Sequence, residues 1–346
     1  MDEKLIWLGI YLKEKNFLKL IKFWENRVKI SQILKERGLE AKELIQEAEK
    51  EVERAKKEGI EILFYEDLGF PEILRKIPYP PLFLYVKGCL NLSKPLLAIV
   101  GSRKPTSYGK EVAYQFANFL GKNGVGIISG LARGIDTIAH KGCLEAEGYT
   151  VGVLGCGLNV VYPAENRWLY LKIIEKGGAL ISEHPLGTKP RPENFPRRNR
   201  LISGLSQGVL IIEAGKRSGT LITAKWALSQ GKEVFAVPGN IFSSQSEGTH
   251  YLLKEGATLI TNPSELMEYL GWKPEKQDQT FKTQKIELLP KEKEILNLIT
   301  NYPKHIEEIT SDTSIPFFEI LSILTELEIK GLIKSLPGKY YQLVKI

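Results

Sequence analysis

Between Leu96 and Thr261 a short apolar run recurs at helix-length intervals, and nearly every run ends in glycine, a cation or both. LLAIV leads into Gly101-Ser102-Arg103, VGIIS into Gly130-Leu131-Ala132-Arg133-Gly134, and TVGVL into Gly155-Cys156-Gly157. VLIIE leads into Ala214-Gly215-Lys216-Arg217-Ser218-Gly219-Thr220, and EVFAV into Pro238-Gly239-Asn240. Short runs of β-branched and aliphatic residues, spaced by helical segments, read as buried parallel strands with crossover helices. This pattern predicts a doubly wound α/β sheet. The strand C-termini of such a sheet share one edge, and ligands bind there. The glycines and cations placed on that edge point to an anionic ligand.

The chain has 346 residues, 43% of them hydrophobic and 26% charged, enough for two or three domains with a sizeable core. No apolar stretch approaches the roughly 20 residues of a membrane span. Asp2 and Glu3 open the chain with no signal-peptide pattern after them, so the expected location is cytoplasmic. Cys89, Cys143 and Cys156 lack CxxC spacing, and His140, His184, His250 and His305 form no HExxH pair. No metal, disulfide or cofactor is expected. The net charge is +7, and the middle of the chain carries most of it: residues 59–284 hold 26 basic and 20 acidic side chains. A polyanionic partner fits that distribution.

Residues 1–58 read as a small helical domain. Leu5, Leu8 and Leu12 recur at helical spacing, and Ala41 to Glu58 carries dense Glu/Lys pairs. Residues 59–272 read as the main, doubly wound α/β domain. IEILFY and PLFLYVKG are strands around a Pro-rich stretch. Helices are expected at Ser107–Lys122, Asp136–Glu147, Glu165–Lys176, Phe195–Gln207, Ser218–Gln230 and Pro263–Leu270. Residues 273–285 are a polar linker. Residues 286–346 read as helix, short helix, longer helix and a two-stranded end around Pro337-Gly338, the order of a winged helix.

Gly101-Ser102-Arg103 occupies the first strand-to-helix turn, where phosphates meet backbone N–H groups. GSRKPTSYG is not GxGxxG, and no ribose-binding acid follows the second strand, so a dinucleotide dehydrogenase is disfavoured. Arg103 offers a phosphate clamp. Ser129, Gly130, Leu131, Ala132, Arg133 and Gly134 make a second turn of the same kind. From Lys189 to Arg200 five cations stand against one acid, with Phe195 and three prolines interleaved. Cations that track a backbone, with a ring that stacks a base, suit single-stranded nucleic acid. Lys189, Phe195, Arg197, Arg198, Asn199 and Arg200 are therefore candidates. Lys216, Ser218, Gly219 and Thr220 open another helix at the same edge, with Ser218 and Thr220 as possible caps. Glu213 precedes them and is read as a loop holder, and Cys156 as a space-filler. No base–nucleophile pair accompanies either, so no enzyme is expected. In the terminal domain the longer helix carries Glu319, Glu326 and Glu328 and only Lys330 at its end, which disfavours duplex reading and suits a protein partner.

These residues carry a resemblance. AIVGSR, ISGLARGIDTIAHKGCL, GVLGCGLNVVYPAENR, FPRRNRLISGLS, EAGKRSGTLITAKWAL and VFAVPGN, in this order, resemble the DNA-processing protein A (DprA, or Smf) family. The resemblance implies cooperative single-stranded DNA binding by an extended Rossmann domain that homodimerises. It also implies protection of incoming strands in natural transformation and recombination, with loading of the RecA recombinase. It places Gly101-Ser102-Arg103 as the phosphate-binding turn, with Ser129–Gly134 and Arg198-Asn199-Arg200 as further pocket walls. Lys189 and Phe195 match its DNA-contacting basic and aromatic positions. The rival is a Rossmann-like nucleotide phosphoribohydrolase of the lysine-decarboxylase-like group. That group places a catalytic Glu shortly after a GGxGT motif, and here Leu-Ile-Thr-Ala follows Thr220 instead.

Overall fold

The computed structural model describes residues 3–14, 17–273, 288–300 and 302–343. It divides into two compact units, Met1–Glu275 and Lys276–Ile346. All of the expected linker beyond Lys273 lies outside the described residues.

The first unit opens with α1 (Glu3–Glu14), α2 (Phe17–Glu25), α3 (Ile30–Arg37) and α4 (Ala41–Lys57). In α4, Leu44, Ala48, Glu51 and Ala55 recur every three or four residues and form the buried stripe. That stripe and α1 join one apolar cluster with Phe83, Tyr85, Leu154 and Leu169. The helical core is thus continuous with that of the sheet layer.

The chain continues through β1 (Ile60–Phe64), α5 (Glu72–Arg75), β2 (Phe83–Gly88), β3 (Leu96–Gly101), α6 (Ser107–Lys122) and β4 (Gly126–Ser129). Next come α7 (Ile135–Glu145), β5 (Thr150–Leu154), α8 (Arg167–Glu175), β6 (Ala179–Ser182), α9 (Asn194–Leu205) and β7 (Gly208–Ile212). The unit closes with α10 (Thr220–Ser229), β8 (Glu233–Ala236), α11 (Glu247–Lys254), β9 (Thr258–Leu259) and α12 (Pro263–Tyr269). The expected helices are present, with ends moved by up to two residues. The sequence reading missed α5 and α11, which are too short for a periodic signal.

The nine strands form one sheet in the order β1-β2-β6-β5-β4-β3-β7-β8-β9. From β6 to β9 all neighbours are parallel, while β1 and β2 add an antiparallel pair beside β6. Inner strands such as TVGVL and GVLII are buried at every residue, because helices cover both faces. The chain builds outward from β3 to β6, then returns to lay β7 against the other side of β3. That reversal is the switch point of a doubly wound sheet.

The second unit contains α13 (Pro290–Leu298), β10 (Lys304–His305), α14 (Ile306–Ser311), α15 (Phe317–Ile329), β11 (Ile333–Leu336) and β12 (Tyr340–Leu343). Its sheet has the order β10-β12-β11, giving a winged helix. The expected two-stranded end gains a third strand, since Lys304 and His305 pair with Tyr341 and Tyr340. Among the described residues no helix is long and apolar enough to cross a membrane.

Candidate functional site

A cleft of about 850 Å³ opens at the switch point. Its walls include Gly101 to Lys104 at the end of β3, Gly215 and Ser218 to Thr220 after β7, and one face of α9. Hydrogen bonds lock the two turns together. The Ser102 N–H donates to the Glu213 carbonyl at 2.7 Å, and the Thr220 hydroxyl donates to the Gly101 carbonyl at 3.0 Å. Ser102 Oγ donates to Gln245 Oε1 at 2.7 Å and accepts the Lys104 N–H at 3.1 Å. Glu213 holds the loop, as expected of it: its carboxylate accepts from the Thr106 N–H at 2.8 Å and from the Thr106 hydroxyl. Ser218 Oγ accepts the Thr220 N–H at 3.2 Å. Thr220 is the first residue of α10 and spends its hydroxyl on Gly101 instead of capping.

The face of α9 is set by helical period. Phe195, Arg198, Asn199 and Ile202 fall at i, i+3, i+4 and i+7, and all four line the cleft. The Phe195 ring is a platform among cations. The Arg103 and Arg198 guanidinium carbons lie 5.8 and 5.9 Å from its centroid, and the Tyr162 ring lies 5.4 Å away. Arg198 is buried and donates to the carbonyls of Gly130, at 2.8 Å, and of Val153. Burial draws its pKa down, opposed by the nearby Asp136 carboxylate. Asp136 is itself pushed up by burial, opposed by Arg198 and by the Ala132 and Gly130 N–H groups. Gly130 leaves the room that both groups occupy. A Cβ on it would stand 2.6 Å from Arg198 Nη2 and 2.8 Å from Asp136 Oδ2. Gly134, at φ 78°, turns the chain where a Cβ would strike the Ser102 carbonyl oxygen.

The other candidates are placed differently. Arg200 is 2% exposed and grips Glu183, with Nη1 to Oε1 at 2.8 Å, while its Nε donates to the Tyr79 carbonyl at 2.8 Å. The sequence reading put Arg200 on a pocket wall. Two residues beyond Arg198 on a helix is about 200° around the axis, so the side chain leaves the cleft. Arg133 is exposed and paired with Glu165, its Nη2 meeting Oε2 at 3.1 Å, and only its neighbour Ala132 lines the cleft. Ser129 and Leu131 are buried, Ser129 donating to the Ile99 carbonyl at 2.6 Å. Lys189 and Lys216 are exposed beside the lining residues Pro190 and Gly215. Arg197 is half-buried and not among the cleft walls.

The sequence reading missed Lys104, Asp136, Tyr162 and Gln245 as cleft residues. Lys104 and Asp136 sit within the glycine motifs already noted, so their neighbours were the signal. Gln245 reaches Ser102 across 143 positions and left no local trace. Cys156 is buried and donates to the Val160 carbonyl, and burial lifts its thiol to about 11, consistent with packing.

Sheet order, switch-point cleft and the motif turns together define an extended Rossmann-type domain, carried with a winged-helix unit. Residues 61–271 match the family described as DNA recombination-mediator protein A, and residues 279–339 match the DprA winged helix domain. The chain belongs to the DNA recombination-mediator protein A family. It is 43% identical over 280 residues to protein Smf of Escherichia coli K12, covering 79% of this chain and 74% of that protein. The solved DNA processing protein A of Streptococcus pneumoniae aligns at 37% identity and TM-score 0.58, over 65% of this chain and 81% of that one. The Helicobacter pylori protein, solved for its single-stranded DNA binding mode, aligns at 32% identity and TM-score 0.54, over 60% and 95%.

Proposed function

We propose that the cleft binds single-stranded DNA, with backbone N–H groups and Arg103 on phosphates and Phe195 beneath a base. The observation that carries this reading is the Phe195 ring, close to the Arg103 and Arg198 guanidinium groups and to the Tyr162 ring in the cleft. Rings stack bases of any sequence, and cations follow the backbone. The binding named for the Helicobacter pylori relative supports the same ligand class. The reading is non-enzymatic. Glu213, directly after β7, is occupied by Thr106, Glu183, directly after β6, by Arg200, and Asp136 accepts from backbone N–H groups. Within it, the protein acts in the cytoplasm as a homodimer, shields single strands and loads RecA in transformation or recombination. Those parts rest on family membership.

Filter binding of single- and double-stranded oligonucleotides tests the reading. Oligo-dT should bind in preference to duplex, with a log–log salt slope of about −0.7 per phosphate neutralised. Arg103→Ala should stay folded and bind oligo-dT at least about tenfold more weakly, a loss of about 1.4 kcal/mol. Unchanged affinity would remove the cleft from the interface, and release of free base from AMP would restore the enzyme reading.

A further inference from the structure

The connection from β6 to α9 carries Lys189 and two prolines that line the cleft. Its first half is held by the rest of the unit. Glu183 grips Arg200, and His184 Nδ1 meets the Tyr11 hydroxyl of α1 at 3.2 Å. The Leu186 N–H donates to Glu51 Oε1 of α4 at 2.7 Å, and the Gly187 N–H to Asn159 Oδ1 at 2.7 Å. The Thr188 carbonyl accepts the Gly157 N–H at 3.0 Å. Glu51 is buried within the apolar stripe of α4, and the Tyr85 hydroxyl also donates to its Oε1 at 3.2 Å. A carboxylate is costly in such a stripe unless its oxygens are used. Here one oxygen joins a helix, a strand and the loop.

Beyond Thr188 the span stiffens. Pro190, Pro192 and Pro196 restrict φ, and the Arg191 carbonyl accepts the Asn194 N–H at 3.0 Å just where α9 begins. A span of this kind transmits the position of its anchor to Phe195 rather than absorbing a shift.

We propose that Glu51 is a positioning residue: from α4 it sets where the Lys189–Phe195 span stands over the cleft, so the N-terminal helices govern single-strand affinity without touching the strand. The proposal rests on the single-strand reading, and its test separates the two. Anisotropy with labelled oligo-dT compares the full chain with Glu51→Ala, Glu51→Gln, Lys189→Ala and the Glu51→Ala/Lys189→Ala pair. Glu51→Ala should bind about tenfold more weakly. Glu51→Gln should recover most of the loss, because its amide oxygen still accepts from Leu186. The pair should lose less than the product of the single losses, since both act through one span. Asn159→Ala, at an exposed position, should bind about threefold more weakly and keeps the test decisive if Glu51→Ala does not fold. Native affinity in Glu51→Ala, native affinity in Asn159→Ala where Glu51→Ala does not fold, or multiplicative losses in the pair, overturns the proposal. Native affinity in Arg103→Ala as well overturns the single-strand reading and this proposal with it.

Discussion

The cleft and the winged-helix unit both look like places for nucleic acid, yet their charges are arranged oppositely. At the cleft, the Arg103 and Arg198 guanidinium carbons lie 5.8 and 5.9 Å from the Phe195 ring centroid. On α15, the helix that would enter a groove, Phe318 and Ile329 are more than 80% exposed among Glu319, Glu326 and Glu328. Its terminal cation, Lys330, is tied to Glu292 at 2.5 Å, and Glu319 to Lys291 at 2.5 Å. A winged helix supplies the shape of a duplex reader, and the placement of charge decides whether that shape can meet phosphate. The same rule works inside the cleft unit at closer range. Arg198 and Arg200 stand two residues apart on α9, one facing the cleft and one closed into an ion pair.

The largest expected effect would break that last comparison. Arg200→Ala leaves Glu183 charged and buried without its guanidinium, so urea unfolding should show a loss of about 3–5 kcal/mol. Retained stability with lost oligo-dT binding would instead make Arg200 a ligand contact. Acidification should produce the next largest effect. Burial holds His140 neutral, with its pKa lowered from 6.5 to about 3, and burial lowers His184 as well. The unfolded chain therefore binds protons that the folded chain refuses. Stability is present above pH 6.5 and is lost as pH falls toward the folded value. For His140 alone the loss at pH 5 is about 2 kcal/mol. In denaturant titrations the native chain should lose about 2 kcal/mol more stability between pH 7 and pH 5 than His140→Gln does. Equal losses would contradict a neutral, buried His140. The smallest expected effect sharpens the contrast between the units. Phe318→Ala should change stability by less than about 0.5 kcal/mol and leave oligo-dT affinity unaltered. A clear loss of affinity would extend the interface to α15.

Most of the architecture was legible in the chain itself. The strands from Leu96 to Leu259, the glycine turns after them and the winged-helix order follow from local periodicity and backbone preference, which act over a few residues. Phe195 and Arg198 were legible as candidates from the interleaving of cations with an aromatic ring, and the structure puts them on one face of α9. Tertiary structure decided which charged groups remained available. Arg200 found Glu183, Ser102 found Gln245, and the Leu186 N–H found Glu51, each across a distance that no local pattern encodes. Local conformation is a property of neighbours in the chain. The partner of a buried polar group is set only when packing excludes water and leaves one acceptor within reach.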